Sequence, residues 1–368
     1  MGNESSSATT VITPTKPAES AAPEQPAAEE KPAEQPAQAA PEQQSEESID
    51  DSEIEEIRRK RREQFKLRRD MKRQEFMALR NANTMEDSLE CMNKLGRCVN
   101  NVDPKVAQQY VKDGINGKVL FVICNTYNKP QYSLGVGPLN DAITVALGHK
   151  KMGYQVLYLH NSTPTIFKKW LKFMLKNTTN DLTIFYTGHG CSIKDKDGDE
   201  SDGYDEVMLF DNGYVTDDEL CDYLTRYAKG ENGQRIVLLT DCCHSGSMWD
   251  IQSMLKDKTQ TIPKNIISVS SAKDDQTAKQ TKIKAKDQGI FTYYFWELLN
   301  ENPALRFKEM ESKINPLIGY FKQHFTVATT TPSMLEEEIF PDRERKRFHR
   351  GRRGGRGQRR RQGGESEQ

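Results

Sequence analysis

The chain has 368 residues, enough for one large domain or two ordinary ones. Hydrophobic residues make up 35% and charged residues 29%, and a net charge of −1 hides opposite excesses at the two ends. That composition excludes a uniformly folded chain, and no run comes near the roughly 18 consecutive apolar residues of a transmembrane helix.

Residues 1–50 carry ten acids, two lysines, seven prolines and ten alanines, with no aromatic residue. Such a segment buries too little apolar surface to offset its ordering entropy, so it reads as a disordered acidic tail. It has neither the basic nor the apolar region of a secretory signal. Met1-Gly2 with Ser6 fits the loose N-myristoylation pattern; without a nearby cysteine for a second lipid, the unmodified reading is preferred. Seven scattered cysteines, none in a Cys-x-x-Cys pair, argue against a disulfide framework or a cysteine-rich zinc site. A reducing compartment follows, cytoplasmic with nuclear as the alternative.

Residues 51–100 read as a charged helical linker. Eleven Lys and Arg between Asp51 and Arg80 surround a broken apolar stripe of Ile54, Ile57, Phe65, Met71 and Phe76. That pattern suits a solvated helix better than a nucleic-acid-binding one.

Residues 101–340 read as the folded domain. Short apolar runs rich in β-branched residues at 118–124, 155–159, 182–186, 235–239 and 265–269 predict strands buried on both faces. Amphipathic stretches at 141–152, 165–176 and 217–228 predict the helices between them. The alternation is that of an α/β fold, an α/β/α sandwich around a mainly parallel sheet, where ligands sit beyond the carboxyl ends of strands. Residues 341–368 form an Arg/Gly-rich tail, expected to be disordered, with eleven basic side chains against one acid between Arg343 and Arg361. It suits phosphate contacts, and hence RNA; a solvated basic tail is the equal alternative.

Two predicted strands run into chemically telling sequences. The third leads into Tyr186-Thr187-Gly188-His189-Gly190 and the fourth into Asp241-Cys242-Cys243-His244-Ser245-Gly246. A histidine between glycines at a strand end is accessible for proton transfer. A cysteine at a neighbouring strand end offers a nucleophile where its thiolate is favoured. The two lie 54 residues apart, near the His-to-Cys interval of caspase-type proteases.

These segments, with 197–206 (DGDESDGYDE) and 216–219 (TDDE) between them, resemble those of the metacaspases, caspase-like cysteine peptidases. The resemblance spans about 115–335, with four motifs in order at family spacing. It implies a caspase–hemoglobinase-type sandwich and a monomer. It also implies His189 as general acid and base, and Cys243, the cysteine immediately before His-Ser-Gly, as nucleophile. Cys242 then has a packing role and His244 a minor one. The oxyanion would lie near the backbone N–H groups of Gly190 and Cys243.

The same resemblance implies a preference for Arg or Lys before the scissile bond, with Asp141 and Asp241 as pocket carboxylates and Thr187 where serine is common. Cleavage after Asp would need basic pocket residues instead. It further implies an activating Ca²⁺ held by Asp205, Asp217, Asp218 and Asp250. The run 195–206 imitates an EF-hand loop, but Glu200 stands where the turn requires Gly, and no helix precedes it. Self-processing is expected, with at least one cut after a lysine between Lys256 and Lys286; Lys256, Lys258 and Lys264 precede the strand at 265–269, and Lys279, Lys282, Lys284 and Lys286 follow it. The rival reading is a catalytically silent scaffold that recruits RNA through the basic tail.

Overall fold

The computed structural model describes residues 84–106, 117–194, 203–229, 234–243, 245–256, 261–272, 280–283 and 286–341, with the isolated residues Glu55, Arg59, Arg62, Glu63 and Lys66. The expectations for 1–50, 342–368, the acidic run 195–202 and His244 fall outside these. The chain divides into two units between Arg61 and Arg62, and the fold below belongs to the second.

The central sheet has seven strands in the order β1-β3-β2-β4-β8-β9-β12. These are β1 (Arg97–Cys98), β2 (Val119–Cys124), β3 (Gln155–His160), β4 (Asp181–Thr187), β8 (Arg235–Asp241), β9 (Ile266–Ser270) and β12 (Thr326–Thr329). All neighbours pair in parallel except β12, which runs antiparallel to β9. Every residue of β2, β4, β8 and β9 is buried, which is why these strands read as continuous apolar runs rather than alternating ones.

The period of two still sorts their side chains. Leu120, Val122, Phe185, Val237, Leu239 and Val269 join one core, while Phe121, Ile123, Ile184, Tyr186, Ile236 and Leu238 join the other. Helices α1 (Met85–Leu95), α2 (Gly137–Lys151), α6 (Ile290–Glu301) and α7 (Phe307–Ile318) cover the first face. Helices α3 (Pro164–Asn177), α4 (Asp217–Tyr227) and the short α5 (Ile251–Lys256) cover the second. Local chemistry fixes their starts: Thr163 accepts the Ile166 N–H with Pro164 at the first helical position, and Thr216 accepts the Glu219 N–H.

The expected linker at 51–100 is corrected at its C-terminal end. Residues 85–99 are part of the domain: Met92 and Leu95 of α1 are buried, and the Tyr158 hydroxyl donates to Asn93 at 2.6 Å. Strand β1 is only two residues long, too short to show as a pattern. The start of the helix predicted at 141–152 is corrected as well. The helix begins four residues earlier, at Gly137, so Asp141 lies a full turn inside it and is buried. Also unforeseen were the three-stranded sheet β5 (Gly190–Lys194), β6 (Tyr204–Phe210) and β7 (Gly213–Thr216), and the hairpin β10 (Gln280–Ile283) and β11 (Lys286–Gly289). Strands β5, β7 and β10 are partly exposed, whereas β6 is mostly buried and sends Met208 and Phe210 into the second core.

The domain closes at its end through Arg235, whose guanidinium donates to the Glu338 and Ile339 carbonyls, both at 3.1 Å. Phe340 stacks on Trp296 at 5.7 Å. Among the described residues, no helix is long and apolar enough to cross a membrane.

Candidate active site

Strands β4 and β8 are parallel neighbours, with Thr187 opposite Asp241 at their last residues. The chain therefore leaves both strands at one edge, and His189 and Cys243 emerge from adjacent positions. Gly190 lies against the following turn: a Cβ there would overlap the Cys243 carbonyl oxygen and stand 2.8 Å from Cys242 Sγ. Only glycine lets the two strand ends approach so closely.

His189 is half-buried, and its Nε2 meets the Tyr132 carbonyl at 2.9 Å. A carbonyl can only accept, so Nε2 carries the hydrogen and Nδ1 is left as the basic nitrogen. The His189 backbone is held too. Its N–H donates to the Tyr127 hydroxyl at 2.6 Å, and its carbonyl accepts from the Tyr186 hydroxyl at 2.7 Å. These hydroxyls explain the first glycine of the motif, because a Cβ at Gly188 would stand 2.9 Å from each.

Of the paired cysteines, Cys242 is buried and burial pushes its thiol well above the usual range. Cys243 is half-buried. Between the two, the structure leaves Cys243 as the reachable thiol, and Cys242 joins the second core.

The structure brings Asp141, Asp241 and Thr187 together beneath the junction of β11 and α6, and both carboxylates are buried. Gly289 N–H donates to Asp141 Oδ1 at 2.8 Å, and Thr187 Oγ1 to Oδ2 at 3.5 Å. Thr292 donates to Asp241 Oδ2 through its N–H at 3.2 Å and its hydroxyl at 2.6 Å. A Cβ at Gly289 would overlap Asp241 Oδ2 and stand 3.0 Å from Asp141 Oδ2, so the two carboxylates face each other across this glycine. Burial, then the neighbouring Asp241, pushes the Asp141 carboxyl well above the carboxylate range. Burial raises Asp241 too, while Thr292 works against the shift.

The remaining acids gather around α4. Asp205 lies on β6, Asp217 and Asp218 open α4, and Asp250 precedes α5 with φ +41. Asp217 accepts the Glu206 N–H and the Asp218 N–H, each at 3.0 Å. Burial, with repulsion from Glu206 and Asp218, pushes the Asp217 carboxyl up to about 8. Ser247, in the turn after Cys243, donates to Glu206 Oε2 at 2.6 Å. The Asp250 carbonyl accepts from Cys221 of α4 at 3.9 Å. Among the described residues, no three His, Cys, Asp or Glu side chains converge closely enough to hold a metal ion.

Tyr127, Tyr132, Gly289 and Thr292 had no place in the sequence reading. A polar Asn125-Thr126-Tyr127 directly after an apolar strand, at the edge where ligands bind, was a usable signal for the first. Nothing in the sequence alone brings Gly289 or Thr292 to residue 241.

With this geometry in view, the family model of the caspase domain matches residues 117–339. Metacaspase-1B of Neurospora crassa is similar, at 27% identity over 194 residues, 37% of this chain and 45% of that protein. Metacaspase-1 of Pyricularia oryzae is 25% identical over 221 residues, 44% of this chain and 55% of that protein. Metacaspase-1 of Schizosaccharomyces pombe is 27% identical over 201 residues, 38% and 47% respectively. The matched region spans about half the length of these curated relatives. A solved structure from Geobacter sulfurreducens aligns with TM-score 0.45 and 19% identity, over 61% of this chain and 98% of that one.

Proposed function

Because the chain belongs to the caspase-domain family, we propose that it is a cysteine endopeptidase with Cys243 as nucleophile and His189 as general acid and base. The observation that carries this reading is the pairing of the β4 and β8 ends, with Gly190 closed against the Cys243 carbonyl. Adjacent strand ends can deliver a thiol and an imidazole to one scissile bond.

Cys243 gives its proton to His189 Nδ1, and the sulfur attacks the scissile carbonyl. The resulting oxyanion lies near the N–H groups of Gly190 and Cys243. Collapse breaks the C–N bond, and His189 returns the proton to the leaving amine. Water then attacks the thioester while His189 takes its proton; the acid departs and the thiol is restored. Tyr132 holds the imidazole in the tautomer this sequence needs, through its carbonyl at Nε2.

Asp141 and Asp241 make the substrate preference Arg or Lys. Two buried carboxylates that repel each other gain most from a cationic side chain between them, and a bidentate guanidinium fits best. An acidic side chain at the same place would add a third negative charge.

Calcium stimulation belongs to the same proposal. The expected ligands Asp205, Asp217, Asp218 and Asp250, to which we add the neighbouring Glu206, offer the hard oxygens that Ca²⁺ requires, but they are not gathered around one point without the ion. Asp217, raised to about 8 by burial beside its neighbours, is the kind of group a dication relieves. Bound Ca²⁺ would supply charge neutralisation and draw these carboxylates together. Glu206 would pass such a movement to the turn after Cys243, because Ser247 is bonded to it.

Self-processing completes the reading. Lys256 and Lys264 flank the segment before β9, and Lys282 and Lys286 lie on the hairpin; Lys258, Lys279 and Lys284 lie outside the described residues. Terminal sequencing of Ca²⁺-treated protein is expected to find a cut after one of these lysines, absent in Cys243→Ala. The reading as a whole is tested with a fluorogenic peptide carrying Arg before the leaving group. Cleavage that rises with Ca²⁺ and disappears in Cys243→Ala supports it; full activity in Cys243→Ala defeats it.

A further inference from the structure

The loop after β2 wraps the back of His189, and it does so in a conformation of its own. Tyr127 has φ +64, in the left-handed region that a bulky residue seldom occupies. Hydrogen bonds on both sides hold it there. Asn161, following β3, accepts the Thr126 and Tyr127 N–H groups through Oδ1 at 2.8 and 2.9 Å, and its Nδ2 donates to Thr126 Oγ1 at 3.1 Å. Asp211, in the β6–β7 turn, accepts the Asn128 N–H at 3.0 Å and the Asn128 Nδ2 at 2.7 Å. The loop is thus tied to two other turns at the same end of the fold.

What this frame presents to His189 is Tyr127. Its buried hydroxyl accepts the His189 N–H at 2.6 Å and donates to the Leu209 carbonyl at 3.0 Å. Its ring lies 4.8 Å from the imidazole. Further along the same loop, the Tyr132 carbonyl meets Nε2. One loop therefore contacts the backbone, the ring face and the distal nitrogen of a single histidine.

Packing alone does not require the hydroxyl. A phenylalanine would fill the same space, and the Leu209 carbonyl already has Asn125 Nδ2 as a donor at 3.0 Å. The His189 N–H has the stronger claim on it, as a partly buried donor whose acceptor is this oxygen.

We infer that Tyr127 is a positioning residue for His189, and that the 125–133 loop is the strap that fixes the imidazole for proton exchange with Cys243. The inference rests on the dyad proposed above. Without the hydroxyl, the 188–190 segment loses the bond that pins its middle residue, and Nδ1 can swing away from the nucleophile.

Tyr127→Phe in the full-length chain tests this, with the fluorogenic Arg peptide and with iodoacetamide alkylation of Cys243 followed by mass spectrometry across pH. The expected kcat is lower by about tenfold with KM within about twofold, the signature of lost alignment rather than lost binding. Alkylation of Cys243 is slower at neutral pH, and its midpoint moves upward, because the thiolate loses its aligned imidazolium. A folded Tyr127→Phe protein with wild-type kcat and alkylation profile overturns the inference, as does a kcat loss no larger than the loss of folded protein. If Tyr127→Phe does not fold, Asp211→Ala loosens the same strap from its half-buried end. It is expected to lower kcat by about threefold, and an unchanged kcat there overturns the inference. Activity that survives in Cys243→Ala refutes the dyad instead, so the two failures are distinguishable.

Discussion

Gly190 sets its backbone directly against the carbonyl oxygen of Cys243, leaving no room for a Cβ. The contact joins the His189 segment to the Cys243 segment without any side chain. Gly190→Ala must push the two strand ends apart. It is expected to lower kcat/KM on the order of a hundredfold, since small displacements at reacting groups are costly, and to lower stability by about 1–3 kcal/mol through overpacking. Peptide turnover and urea unfolding of the same preparation check both, and an alanine variant with wild-type turnover would contradict the closeness of the two segments.

The pocket proposed for Asp141 and Asp241 carries a pH signature. Burial raises both, and Asp241 raises Asp141 further. The charged pair proposed to receive a cation is therefore lost, as pH falls, at higher pH than an ordinary carboxylate would allow. Thr292→Val removes the hydroxyl donor that lies 2.6 Å from Asp241 Oδ2 and raises that carboxyl again. The acid limb of kcat/KM on Arg peptides is predicted to move upward in Thr292→Val, with KM rising at neutral pH by about tenfold. Coincident pH profiles for the two proteins would remove Asp241 from the pocket.

Much of this was legible in the sequence, for a physical reason. Strands buried on both faces leave unbroken apolar runs, and β2, β3, β4, β8 and β9 were found within two residues at each end. The glycines around His189 and the paired cysteines mark strand ends at one edge. Most of what stayed hidden was made of polar or short pieces; the buried β6 was masked by the acidic residues at its start. Strand β1 has two residues, β5 and β10 are partly exposed, and α1 follows a segment so charged that its apolar face was lost in it. Tyr127 escaped because its role lies in a backbone turn with positive φ, which residue type does not announce. Thr292 escaped because its partner is 51 residues away in sequence.

His149 makes a separate prediction about stability. It is buried, bonded through Nδ1 to the Val145 carbonyl at 2.9 Å, and ringed by Tyr154, Trp296 and Phe340. Burial pushes its pKa from 6.5 down to about 3. The unfolded chain takes up this proton below about pH 6.5 and the folded one does not, so the stability contribution is intact above 6.5 and declines as pH falls toward 3. The decline is at most ~1.4 kcal/mol per pH unit. His149→Leu lacks it, so the stability advantage of wild type over variant should shrink steadily from pH 7 to pH 5 in urea titrations. Parallel stability curves would contradict a neutral buried His149.

Glu206 is the carboxylate that links the acidic group to the turn after Cys243, through Ser247. Glu206→Gln keeps the shape and removes the charge. Calorimetric titration is predicted to show Ca²⁺ affinity reduced by about tenfold or more, as expected when one anionic oxygen donor is lost. Affinity equal to that of wild type would exclude Glu206 from the site.

The most direct measurement of the central claim is covalent trapping. A peptide with Arg before an electrophilic ketone is incubated with the wild-type chain and Ca²⁺, and the modified residue is located by mass spectrometry. The account predicts one adduct, on Cys243, slowed strongly in His189→Ala and not formed by the analogue carrying Asp in place of Arg. An adduct on another residue, or peptide hydrolysis that persists undiminished in Cys243→Ala, would contradict it.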